Sequence, residues 1–70
     1  MNAMSLKALR KAISLFDNEK HFCEAINISY QQLWNWINRE GQVPVYYCKV
    51  IERVTHGKVT KEDLRPDIYG

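Results

Sequence analysis

The tightest constraint in this chain is a three-residue joint, Asn27-Ile28-Ser29, set between two short segments of helical apolar periodicity. Asparagine is one of the few non-glycine residues that enters the left-handed backbone region cheaply, so Asn27 can end a helix within one residue. Ser29 can start another helix, and Gln32 three positions on completes a capping box of the S-x-x-Q kind. Upstream, Asp17-Asn18 stops a preceding segment and offers an N-cap. The helix it starts, about 19–26, turns Phe22, Cys23 and Ile26 inward and Lys20 and Glu24 outward. Downstream, a helix of about 29–39 points Leu33, Trp36 and Ile37 inward, and Gly41 stands where a C-terminal cap belongs. Two short helices, a tight turn and a capped second helix describe a helix-turn-helix over about 18–39, with Cys23 as the small residue at the crossing.

The rest of the chain supplies the elements this unit packs on. Leu6, Leu9, Ile13 and Phe16 form one stripe of a first helix, about 5–16, with Lys7, Arg10, Lys11 and Ser14 on its other face. A fourth helix fits 44–55, with Pro44 at its first position, an inner stripe of Tyr47, Cys48, Ile51 and Val54, and His56-Gly57 closing it. Thr60 and Asp63 predict a last helical turn that reaches Leu64 and is ended by Pro66. The only extended candidate is Lys58-Val59. The fold class expected is all-α, four helices and a short fifth, in a single domain over residues 1–70.

Composition narrows the function. Seventy residues with 46% hydrophobic and 26% charged side chains, three Gly and two Pro, exclude a disordered tail or low-complexity linker. The apolar runs are a few residues long, against about 20 for a membrane span. Met1 to Leu6 lacks the apolar core of a secretory signal, so a cytoplasmic protein is expected. Two cysteines, Cys23 and Cys48, make no disulfide framework and suit buried thiols. His21-x-Cys23 and Cys48…His56 lack zinc spacing. Glu62-Asp63 suits a helix start, and neither a nucleophile elbow nor a phosphate loop is present. No enzyme, cofactor or metal site is expected.

The outward face of the 29–39 helix carries Tyr30, Gln31, Gln32, Trp34, Asn35, Asn38 and Arg39, with no acid before Glu40. Solubilising surfaces usually mix Glu and Lys. Gln and Asn instead pair a donor with an acceptor, the chemistry that reads adenine edges in the major groove. Trp34 and Tyr30 suit thymine methyls, or sugar and phosphate. Charge is local: Lys7, Arg10 and Lys11 give residues 1–16 a charge of +3, residues 17–40 carry −2, residues 41–61 carry +3 and the remainder −2. Helix starts could add phosphate ligands, at Asn18 and Lys20 beside the awkward Glu19 and at Pro44-Val45-Tyr46. The competing class is a protein-binding module that uses Tyr30, Trp34 and the Tyr46 face as aromatic anchors.

The sequence resembles the Cro-like prophage repressors of the YdaS type from Leu6 to Tyr69. The likeness is carried by Ser29-Tyr30-Gln31-Gln32…Trp36, Val43-Pro44, Cys48, Ile51-Glu52-Arg53 and Thr55-His56-Gly57-Lys58-Val59-Thr60, and by the ending Leu64-Arg65-Pro66-Asp67-Ile68-Tyr69. Cys23 and Asn27 stand where such proteins usually have Ala and Gly, and both keep the physical requirement. Tyr46-Tyr47 replaces a more charged pair, and Trp34 a small polar residue. The resemblance implies a lambda-repressor-like domain that binds double-stranded operator DNA, often as a homodimer, and represses prophage or toxin–antitoxin operons. It carries base contact first to Gln31 and Asn35, and phosphate or flanking contact to Ser29, Gln32 and Asn38. A dimer would place half-sites about 34 Å apart, with Ile68 and Tyr69 as candidate contacts. An antitoxin role would add a toxin protein as partner.

Overall fold

Side-chain caps open the helices that begin at Glu19, Tyr30 and Lys61 in the computed structural model, which describes residues 3–69; Met1, Asn2 and Gly70, at the ends of the expected 1–70 domain, lie outside the described residues. Helix α1 (Ala3–Ser14) begins and ends two residues earlier than its apolar stripe predicts. Its last turn gives way at Leu15-Phe16, where Phe16 leaves the helix but meets Phe22 edge-on at 5.5 Å. Asn18 then caps α2 (Glu19–Ile26), its side chain accepting the backbone N–H of His21 at 2.9 Å.

Asn27 takes φ 61°, the left-handed conformation expected of it. That turn brings the Ile28 N–H back to the Cys23 carbonyl at 2.9 Å, while the Asn27 N–H bonds Glu24, closing two carbonyls that the helix end would otherwise orphan. Helix α3 (Tyr30–Asn35) follows with both halves of the capping box: the Gln32 N–H bonds Ser29 Oγ at 3.1 Å, and the Ser29 N–H bonds Gln32 Oε1 at 2.9 Å. The helix-turn-helix is therefore held by local bonds before any packing is counted.

Three local expectations need correction. The 29–39 helix is not α-helical throughout: after Asn35 it widens into a π-helical turn, Trp36–Glu40, which Gly41 ends at φ 69°. Pro44 caps α4 (Val45–Val54) from outside, with extended ψ 144°, rather than opening its first turn. Pro66 does not end the last helix; α5 (Lys61–Leu64) stops at Arg65, and proline opens a further turn, α6 (Pro66–Tyr69). Proline's fixed φ and missing N–H suit a first helical position as well as a stop. Among the described residues no strand forms, and Lys58-Val59 stays irregular.

The core is a single cluster of Leu9, Ala12, Phe22, Cys23, Ile26, Leu33, Trp36, Val43, Cys48, Ile51, Val59 and Leu64. It draws on every helix except α6, so α2 and α3 are pinned to one body. Val43 and Val59 come from loops, and both are fully buried. Thr55 holds the second of these loops: its Oγ1 donates to the Ile51 carbonyl at 2.8 Å and accepts the Val59 N–H at 3.3 Å.

Candidate nucleic-acid interface

Burying Leu33 and Trp36 fixes which face of α3 meets solvent. Gln31 and Gln32 are exposed, as are Tyr30 at 61% and Trp34 at 44%; Asn35 is half-buried. Gln31 Nε2 donates to Asn35 Oδ1 at 3.2 Å, so the two amides are one unit, one helical turn apart. After that bond Gln31 keeps one N–H and its Oε1, and Asn35 keeps both N–H groups.

Ser29 and Gln32 spend part of their polar capacity on each other's backbone. Gln32 retains its amino group, and Ser29 its hydroxyl proton. Asn38 donates to the Trp34 carbonyl at 3.1 Å, the carbonyl that an α-helical N–H at position 38 would have taken. The π turn thus commits Asn38 largely to its own backbone. Arg39 is exposed on the same turn.

Two recesses flank this face. Tyr30, Trp34 and Asn38 share one of about 270 Å³ with Glu19, Leu33 and Ile37. Asn18 and Lys20 share a larger one, about 440 Å³, with Tyr30 and the buried Cys23. The starts of α2 and α3 are therefore neighbours, and five of the ten predicted contact residues, Asn18, Lys20, Tyr30, Trp34 and Asn38, line the two recesses there. Arg39 sits further on, on the π turn. Glu19 lines both recesses, so a negative charge lies beside the two aromatic rings.

The other predicted features distribute as follows. Among the described residues Tyr46 is the most exposed large apolar side chain, at 76%, and its ring leans on Tyr47 at 4.9 Å; Tyr47 in turn meets the buried Trp36 at 5.0 Å. Tyr69 packs on the core with Lys61 Nζ 5.6 Å from its ring centre, whereas Ile68 is exposed. Cys23 and Cys48 are free, buried thiols. Burial, followed by the charges of Glu19 and Glu24, pushes the Cys23 thiol above its ordinary value, and burial does the same to Cys48. Among the described residues, no three His, Cys, Asp or Glu side chains come together to hold a metal. No described helix is long and apolar enough to cross a membrane.

One positioning residue escaped the sequence reading. Arg65 is buried and donates in three directions: Nη1 to the Val43 carbonyl at 3.0 Å, Nε to Asp67 Oδ1 at 3.0 Å and Nη2 to Asp67 Oδ2 at 2.8 Å. It ties the chain's last turn to the loop that follows the 30–40 helix. The closely spaced Arg65-Pro66-Asp67 was the available signal; the Val43 partner, 22 residues away, left none.

Comparison with known proteins adds two findings. Residues 9–70 match the model of a family described as "Bacterial toxin YdaS". The chain is also 31% identical over 61 residues to the "Putative transcriptional regulator YdaS" of Escherichia coli (strain K12), an alignment covering 87% of this chain. It spans 62% of that relative's length. No solved structure gives a match.

Proposed function

This chain belongs to the YdaS family, and on that premise we propose that it is a sequence-specific, double-stranded DNA-binding regulator that represses transcription of a prophage or toxin–antitoxin operon. The observation that carries this is the Gln31–Asn35 amide pair, exposed on a capped helix at the front of a helix-turn-helix. A rod of this width fits the major groove, and amides are the side chains that distinguish one base edge from another there. In this proposal residues 1–70 act as one DNA-binding domain, at the nucleoid in the cytoplasm.

The roles divide by what each side chain has left to offer. Gln31 and Asn35 meet base edges, with Tyr30 and Trp34 beside them. Ser29, Gln32, Asn18 and Lys20 hold phosphates flanking the helix, joined by the start of α4. Asn38 and Arg39 reach the backbone at the far end. With four to six phosphates neutralised, log affinity falls against log salt with a slope near −4 to −5. A homodimer would span two half-sites about one helical turn apart.

A second reading, an antitoxin that masks a toxin protein, draws on the exposure of Tyr30, Trp34 and Tyr46. Selection of sites from random duplex DNA, run with the wild-type protein and with a Gln31→Ala/Asn35→Ala variant, separates the two. The regulator requires an enriched site for wild type and none for a folded variant. No enrichment with wild type favours the protein interface.

A further inference from the structure

We infer that the recognition face is built for A·T base pairs, with Gln31 reading an adenine and Trp34 and Tyr30 closing on thymine methyls; this rests on the DNA-binding proposal above. Between Asn27 and Asn38 the chain carries no Lys, Arg, Asp or Glu. Guanine is read best by Arg or Lys, whose donors meet its two acceptors, and cytosine by a carboxylate that accepts from its amino group. Neither chemistry is present on α3; Arg39 lies past it on the π turn, and Lys20 lies on α2, in the recess shared with Tyr30.

What α3 presents is more specific than a set of amides. The bond from Gln31 Nε2 to Asn35 Oδ1 orients both groups. In that orientation Gln31 shows one acceptor, Oε1, and one remaining N–H. Adenine shows the complement in the major groove, an amino donor and the N7 acceptor. Guanine at the same place would set its O6 against Gln31 Oε1, acceptor against acceptor. Asn35 stands about 6 Å further along the helix axis, a little under two base steps, and offers two donors. Its complement is an acceptor such as thymine O4 or a purine N7.

The aromatic pair follows from charge. Tyr30 and Trp34 line a recess with Leu33 and Ile37, and Glu19 lines the same recess. A phosphate brought there would meet the charge of Glu19 with no lining cation to offset it, unlike the neighbouring recess, where Lys20 stands beside Glu19, so backbone contact is disfavoured. A thymine methyl is uncharged and apolar, and it fits beside two half-open rings. Amide and ring are thereby matched to the two partners of one kind of base pair.

The test begins with the same selection from random duplex DNA and continues with modified bases in the winning duplex. A·T pairs should occupy the central contacted positions. Replacing the contacted adenine by 7-deazaadenine should weaken wild-type binding by about ten-fold, within the range of a good base contact. Uracil in place of the contacted thymine should weaken it by a few-fold, and a folded Gln31→Ala variant should no longer respond to 7-deazaadenine. Winners centred on G·C pairs, or a Gln31→Ala variant as sensitive to 7-deazaadenine as wild type, would overturn this inference and leave the DNA-binding proposal standing. Failure of the wild type to enrich any site overturns both.

Discussion

Replacing Arg65 by alanine is the sharpest probe of how the 30–40 helix is held. The guanidinium is buried, and its Nη1 donates to the carbonyl of Val43, itself fully buried. Removing it leaves that carbonyl without its charged partner in an apolar setting, a loss of about 1–3 kcal/mol. The aliphatic stem is buried with it, and its deletion adds a cavity penalty, so the whole change comes to about 2–4 kcal/mol. The pairing to Asp67 enters as geometry only, because that carboxylate is half in solvent and such pairs contribute little. For a domain of this size each kcal/mol moves the midpoint by about 4–8 °C, so a fall of about 10–25 °C in Tm is expected by circular dichroism. Arg65→Lys should recover only part of the loss, since one ammonium cannot reproduce the planar fork. A midpoint for Arg65→Ala within 2 °C of wild type would refute the assignment of Arg65 as the clamp between the last turn and the loop after α3.

Further expectations follow from named contacts. Arg65 holds the Asp67 carboxyl below its ordinary value of 3.8 through their hydrogen bonds. A depressed carboxylate stabilises the fold above its unfolded pKa, so this contribution is constant at neutral pH and is lost as pH falls below about 4. Acid titration of Asp67→Asn should therefore show a shallower decline than wild type over that window. At Asn27, φ 61° penalises any residue with a Cβ and no local polar group. Asn27→Gly should match wild type within about 0.5 kcal/mol in urea unfolding, while Asn27→Val should cost about 1–2 kcal/mol. Ser29→Ala removes one side of the capping box and should cost about 1 kcal/mol by the same measurement. Cys23 and Cys48, buried with raised thiol pKa values, should react with a thiol reagent only at the rate of unfolding.

The parts of this fold that could be read from the sequence are those set by neighbours within four residues. Asn18, Asn27, Ser29 with Gln32, and Thr60 with Asp63 each act through a bond to a backbone group three positions away or through their own backbone conformation. They take the conformations or caps expected of them. The π turn was not legible, because Leu33, Trp36 and Ile37 give the same inward pattern whether the backbone closes over four residues or five. Pro66 is ambiguous for a related reason: its ring permits both an ending and a beginning. The burial of Val43 and Val59 and the roles of Thr55 and Arg65 arise from tertiary contacts, which periodicity does not encode. At the candidate interface, exposure of the amides could be anticipated from the apolar stripe opposite them. The bond between Gln31 and Asn35 and the presence of Glu19 beside Trp34 required the coordinates.

The widened turn at Trp36–Glu40 has a consequence for how chains of this kind can change length. A loop that loses a residue usually drags its neighbours out of register, but a π turn already contains the slack of one extra position. Deleting a single residue there would let the backbone relax to ordinary α pitch, with Trp36 still anchored inside and Gly41 still free to reverse the chain. The deletion would shorten only the far tip of the rod, where Asn38 and Arg39 stand, and leave Gln31 and Asn35 where they are. Relatives that differ by one residue at this point are thus expected to share the Gln31–Asn35 face and to vary in how far the rod extends beyond it.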